Sequence, residues 1–326
     1  MRRLFLSLLG VIVLIASVNA GKVTEQQALQ KAQQFMKGKS LVALKLDKAL
    51  TRSDASDGIP AFYIFNAKEG EGFVIVSADD RTEAVLGYSY NGRIDIDNMP
   101  ENLRWWLQGY AKQIKSLPAD YQPLSPRSTR TSREAIPVLL ATKWNQSPPY
   151  NLMCPEIDGW RCPTGCVATA VAQVMYYYQS PASCPAIPAF MNLERLPATT
   201  FKWDKMKTEY SWDETGESAD AVAELMRYCG QSNGMIYSKE SSSAAIQNRL
   251  MIKYFGYSKN MRRLFRYDYS DAHWESIIYD ELAQSHPVFY DGSADPESAR
   301  ESGHQFICDG YDGNGKYHMN PNRSLD

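Results

Sequence analysis

Residues Cys162 to Ala172 read CPTGCVATAVA, and the segment continues as QVMYYY to Tyr178. On a helical period Ala168, Ala172 and Tyr176 share one stripe, while Val167, Val171, Val174, Met175 and Tyr178 cover much of the remaining surface. A helix that is apolar nearly all round is a buried helix, so this stretch predicts the element around which the fold is built. Cys166 stands at its N-terminus, where unpaired backbone N–H groups and the macrodipole favour a thiolate over a thiol. Pro163 and Gly165 shape a tight turn into the helix. Three readings of Cys166 compete: a small buried residue at a helix start, half of a redox or metal pair with Cys162, or a nucleophile. Three residues separate the two cysteines where a thioredoxin-type pair has two, and no further ligand follows at zinc spacing.

The second informative stretch is SGHQFICDGYDGNGKYHMN, from Ser302 to Asn320. HQFICDG alternates His304, Phe306 and Cys308 against Gln305 and Ile307 as a strand does. The DG and DGNG steps that follow are turn signals, and KYHMN reads as a second strand. A hairpin folded symmetrically about Asp312 sets His304 opposite Asn320, with Cβ atoms roughly 5 Å apart on one face. An amide beside an imidazole is the arrangement that fixes a catalytic histidine's tautomer. His318 is the rival base, opposing Phe306 in that register. His273 and His286 read as structural or surface residues.

The N-terminus bears on the compartment. MRRLFLSLLGVIVLIASVNA (residues 1–20) has Arg2 and Arg3, an apolar run, and Val18 and Ala20 at small-residue cleavage spacing, which predicts a secretory signal peptide. No cysteine precedes Cys154, which excludes lipidation at the processing site, and no later segment is apolar enough over a sufficient length to span a bilayer. A composition 44% hydrophobic and 22% charged is that of a globular protein, and a net charge of −2 without a basic run points to neither nucleic acid nor an anionic membrane. Six cysteines in 326 residues are too few and too irregular for a disulfide scaffold. If one is a free nucleophile, at least one more must be unpaired.

Between Gly21 and about Leu117 the pattern is helix, strands, helix. The helix from Thr24 carries Ala28, Ala32 and Phe35 at helical spacing and stops at Gly38. AFYIFN, FVIVSA and AVLGYS read as a meander of short strands, and the helix opened by Pro100 sets Leu103, Trp106, Leu107, Tyr110 and Ile114 on one face. The next segment, PLSPRSTRTSREA (residues 123–135), is rich in Pro, Ser, Thr and Arg and reads as an exposed, cleavable linker. All six cysteines and all four histidines follow it. An inert first module, a cleavable linker and a chemically loaded second module is the layout of a zymogen; two domains on a flexible tether is the alternative.

On these residues the chain resembles the streptopain family of secreted bacterial cysteine peptidases. The resemblance is carried by KWNQSPPYN (143–151), PTGCVATAVAQVMYYY (163–178), HWESIIYDELAQSHPVFYDG (273–292) and GHQFICDGYDGNGKYHMN (303–320). The first module, with GFVIVSADD (72–80) and LRWWLQGY (103–110), resembles the family's inhibitory propeptide. The resemblance implies an α+β fold: a papain-like peptidase domain at 135–326, preceded by a small α+β propeptide domain at 21–122 and a linker at 123–134. It further implies Cys166 as nucleophile, His304 as general base and acid, Gln146 as side-chain donor to the oxyanion hole, and Asn320 as the residue that orients the imidazole. Protein or peptide substrates with a bulky apolar side chain just before the residue at the cut bond, and the chain's own propeptide as intramolecular inhibitor, are the implied partners. No metal or organic cofactor is implied.

After Asn320 the family pattern continues with a Trp- and Gly-rich run and further strands, whereas this sequence reads PNRSLD. The expectation is a C-terminally truncated peptidase domain whose base lacks its shielding Trp and whose sheet edge is left unpaired. The alternative function is then an exported, catalytically impaired protein that binds substrate or a cognate peptidase through its propeptide-like module.

Overall fold

The computed structural model describes residues 21–47, 50, 59–99, 101–118, 121, 133–293 and 303–320. The expected signal peptide, nearly all of the linker and the PNRSLD segment lie outside the described residues. Two compact units make up the chain: Met1–Gly92 with Gln113–Pro123, and Arg93–Lys112 with Leu124–Asp326. The stretch Arg93–Lys112, which by sequence goes with the first module, thus clusters with the second unit.

In the first unit, helix α1 (Glu25–Phe35) begins at Thr24 because that side chain accepts the Gln27 N–H at 3.3 Å while Gln27 accepts the Thr24 N–H at 2.8 Å. This reciprocal capping satisfies two otherwise orphaned donors. Strands β1 (Leu41–Ala43), β2 (Phe62–Ala67), β3 (Phe73–Ser77) and β4 (Val85–Ser89) form an antiparallel meander in that order. The expected β2 to β4 are present; β1, at three residues, is too short to reveal an alternation in the sequence. Ala28 and Ala32 of α1 pack with Leu41, Phe65, Val74 and Val76 in a small core of their own.

Helix α2 (Glu101–Lys115) follows the predicted face, with Leu107, Ala111 and Ile114 buried. In the second unit, α3 (Cys166–Tyr178) is buried from Val167 through Met175, as its apolar circumference requires. One side of it meets α4 (Glu217–Ser232) through a core of Val171, Met175, Val222, Leu225 and Met226 that extends to α5 (Asn248–Phe255). Small hairpins β5 (Glu156–Ile157) with β6 (Trp160–Arg161), and β7 (Ser183–Cys184) with β8 (Thr199–Thr200), decorate this helical layer.

The other side of α3 meets an antiparallel sheet of β9 (Val288–Ser293), β10 (Gly303–Tyr311) and β11 (Tyr317–Asn320), ordered β11-β10-β9. Ile307 packs on Ala170 and Val174 of α3, whereas Cys308 packs on Ile278 and Leu282 of α6 (Asp271–Ala283). The sheet is therefore sandwiched between α3 and α6. That explains why β10 is buried on both faces from Gln305 onward.

The hairpin register differs from the expected one. Asn320 opposes Ile307, Met319 opposes Cys308 and His318 opposes Gly310, with a bulge between Cys308 and Gly310. His304 lies beyond the end of β11 and pairs with Gly292 of β9. The turn is centred on Asn314 rather than Asp312, since Tyr311 opposes Tyr317. Asp312 and Lys316 form the last rung, and Asp312 Oδ1 accepts the N–H groups of Asn314 at 2.7 Å and Lys316 at 3.0 Å. The extra residue at the bulge, Asp309, is held by the chain on β10's other side. Its carbonyl accepts the Leu139 N–H at 2.9 Å and its carboxylate the Leu140 N–H at 3.1 Å.

Candidate active site

Cys166 is the first residue of α3, preceded by Gly165 at φ 85°. The peptide N–H of Gln305 on β10 approaches its Sγ at 3.5 Å. Burial is the largest influence on the thiol and pushes its pKa up; the backbone N–H groups of Gln305, Val167 and Cys166 itself pull the other way, and the Asp291 carboxylate adds a further push upward. The expectation that the helix start favours a thiolate is thus corrected in sign. The N–H donors are present, but desolvation of a sulfur between α3 and the sheet outweighs them.

Gln146 is positioned through its backbone, whose carbonyl accepts the Thr164 N–H at 3.1 Å two residues before the thiol. Thr164 Oγ1 lies 2.8 Å from Thr169 Oγ1, and Thr169 also donates to the Gly165 carbonyl at 3.2 Å. The turn into α3 is therefore fixed by buried hydroxyls as well as by glycine.

His304 and Gln305 are successive residues of a regular strand and face opposite ways. Gln305 and Ile307 share the α3 side; His304 and Phe306 share the α6 side, with their rings 6.5 Å apart and inclined by 18°. Phe306 in turn meets Tyr290 at 5.3 Å and Trp106 of α2 at 5.0 Å. The structure thus brings β10 to Cys166 through the backbone next to His304.

Asn320 lies on the α3 side and is buried. Its Nδ2 donates to the Thr142 carbonyl at 3.0 Å and to Gln173 Oε1 at 3.3 Å, while Gln173 Nε2 donates to Asn320 Oδ1 at 3.4 Å. Thr142 Oγ1 completes the network by donating to Gln173 Oε1 at 2.7 Å. Sequence reading missed Gln173 and Thr142. A signal existed: within the apolar helix the polar residues Cys166, Thr169 and Gln173 recur at helical spacing, two turns end to end.

His318, the rival base, binds Asp309: Nδ1 lies 2.6 Å from Oδ1 of a carboxyl that is fully buried. His286 lies 3.0 Å from Glu281 at the surface, and His273 packs edge-on against Tyr269. All six cysteines are free thiols, every one but Cys166 buried.

Residues 144–321 match the peptidase C10 family, and residues 20–114 match the Spi protease inhibitor family. The chain belongs to the peptidase C10 family. It is 33% identical over 324 residues to streptopain of Streptococcus pyogenes, covering 90% of this chain and 78% of streptopain. It is 29% identical over 352 residues to the thiol protease/hemagglutinin PrtT of Porphyromonas gingivalis, of whose length it spans 40%. Among solved structures, prointerpain A of Prevotella intermedia superposes with a TM-score of 0.72 at 29% identity, over 89% of this chain and 90% of that one. Active interpain A from the same organism gives 0.51 at 34% identity, over 58% of this chain and 82% of that one. The C10 chain thus has the domain order of a cysteine-peptidase precursor, an inhibitor-type module followed by a papain-like peptidase module, in an α+β fold. Among the described residues no helix is long and apolar enough to cross a membrane.

Proposed function

We propose that this chain is the exported zymogen of a cysteine endopeptidase that cleaves proteins through a thioester on Cys166. The observation that carries the reading is the placement of Cys166 Sγ at the start of a buried helix, in contact with the strand that bears His304. In the active arrangement His304 takes the thiol proton, and the thiolate attacks the scissile carbonyl. The developing oxyanion is met by the Cys166 N–H and the Gln146 amide. His304 then protonates the leaving amine, and a water activated by the same imidazole hydrolyses the thioester. Asn320 holds the imidazole in the required tautomer.

Residues 21–122 act as an inhibitory propeptide: Trp106 packs on Phe306, two residues from His304 on β10, and removal of the propeptide frees that end of the strand. Cleavage falls in the linker, between Ser125 and Ala135. Export follows from the resemblance of residues 1–20 to a signal peptide.

Hydrolysis of an unstructured protein substrate after propeptide removal tests the reading. Cys166→Ala and His304→Ala are each expected to abolish cleavage, whereas His286→Ala retains it. Retained cleavage in the Cys166 variant overturns the mechanism. Loss of activity in His318→Ala with intact fold, alongside an active His304→Ala, reassigns the base.

A further inference from the structure

His318, the second histidine of the hairpin, has a buried partner of its own. Its Nδ1 lies 2.6 Å from Oδ1 of Asp309, whose side chain is 0% exposed, while the imidazole is 46% exposed. A carboxylate can only accept, so the imidazole is the donor. The second oxygen accepts the Leu140 N–H at 3.1 Å, and the Asp309 carbonyl accepts the Leu139 N–H at 2.9 Å. Asp309 therefore fastens three stretches of chain at one point: β10, β11 and the 136–140 segment. Burying a carboxylate is costly unless hydrogen bonds replace the water it loses, so these donors hold it in place.

That point is the bulge of β10. His318 opposes Gly310, and the pairing steps out of register between Cys308 and Gly310, which makes Asp309 the extra residue. Gly310 leaves the room for this: a Cβ there would stand 3.2 Å from His318 Cβ and 3.3 Å from Val138 Cα. A bulge re-aims the side chains that follow it in a ladder. On β11 the residue so aimed is Asn320, two positions past His318. Its Nδ2 donates to the carbonyl of Thr142, which is two positions past Leu140. The Asp309 clasp and the Asn320 amide thus tie the same two stretches together, two positions apart on each. A slip of β11 by one residue would turn Asn320 away from Thr142 and Gln173, because side chains alternate along a strand.

We propose that Asp309 and His318 are positioning residues: by clasping β11 to the 136–140 segment across the bulge, they set the register that seats Asn320 in its amide network. The inference rests on the reading of Asn320 as the residue that holds the imidazole. It gives His318 a task other than that of the base, one exerted through Asn320 and not on a reacting group.

Amide hydrogen exchange of the full chain reads the clasp without hydrolysis, and kcat and KM after propeptide removal read its consequence. His318→Ala is expected to speed exchange of the Tyr317–Asn320 amides by about tenfold or more, the loss that accompanies one hydrogen bond to a charged group. Exchange in the first unit stays at the parent rate. Turnover falls roughly ten- to hundred-fold, as for a displacement of about an ångström at a reacting group, with KM little changed. His318→Asn, whose amide donates from the place of Nδ1, restores both. The His318→Ala/Asp309→Asn double variant removes the buried carboxylate that the single variant leaves short of a donor. It recovers the urea midpoint but neither the exchange protection nor the turnover, and it carries the test if His318→Ala alone does not fold. Unchanged exchange at Tyr317–Asn320 in these variants overturns the proposal. So does full recovery of turnover in the double variant, which marks a buried-charge penalty rather than positioning. Faster exchange in a chain whose parent cleaves nothing upholds the clasp and removes the peptidase reading instead.

Discussion

The peptide N–H of Gln305 lies 3.5 Å from the sulfur of Cys166. That single contact joins the two stretches of sequence that carry the chemistry, 139 residues apart in the chain. His304 is the residue immediately before Gln305 on β10. The proposed nucleophile and the proposed base are thus linked through adjacent residues of β10.

Gln146 offers a test of the oxyanion assignment. Its backbone is anchored to Thr164 beside the thiol, and Gln146→Ala in the processed enzyme is expected to lower kcat by about two to three orders of magnitude. A rate equal to the parent's removes Gln146 from the mechanism.

Gly165 is required by both conformation and space. Its φ is 85°, and a Cβ there would stand 2.6 Å from Met235 Cε and 2.9 Å from the Ser242 carbonyl. The methionine end can move, but the Ser242 backbone cannot without disturbing its hydroxyl's bond to the Pro163 carbonyl at 2.7 Å. Gly165→Ala should therefore cost about 1–3 kcal/mol in denaturant unfolding and slow Cys166 alkylation.

The amide network under Asn320 is equally specific. Gln173→Ala removes the acceptor of the Thr142 hydroxyl and both amide contacts to Asn320. Burying these groups without full partners should cost about 1–3 kcal/mol. On the proposed role of Asn320 in holding the imidazole, turnover should fall with KM little changed. A fall in stability with kcat retained would separate the network from catalysis.

Alkaline conditions should weaken the fold. Burial pushes the thiols of Cys154, Cys184 and Cys308 up to about 12, whereas an unfolded cysteine titrates near 8.5. A raised folded-state pKa gives stability that is complete below the unfolded value and is lost as pH climbs through that window towards the folded value. The urea midpoint is expected to decline from about pH 8.5 upward, and Cys308→Ala should flatten the decline. An unchanged slope in that variant would mean that other groups dominate.

Much of this protein can be read from local sequence. The Thr24 cap, the three longer strands of the first unit, the nearly all-apolar helix after Gly165 and the position of Cys166 at its start are each dictated by residues within a few positions of one another. Periodicity and capping act at that range. Cys166 and His304 stand in short motifs legible for the same reason, whereas Gln146 rests on the family resemblance and Asn320 on a hairpin register. What the sequence could not decide was how the distant pieces register. A DGNG stretch contains two turn signals, and the choice between them was made by the Asp312 side chain gripping Asn314 and Lys316 and by a bulge at Asp309 secured from Leu139 and Leu140. That choice moved Asn320 from His304 to Ile307. The sign of the thiol's shift was likewise tertiary, because the helix terminus that favours the thiolate is local but the desolvation that opposes it comes from the sheet packed over the sulfur.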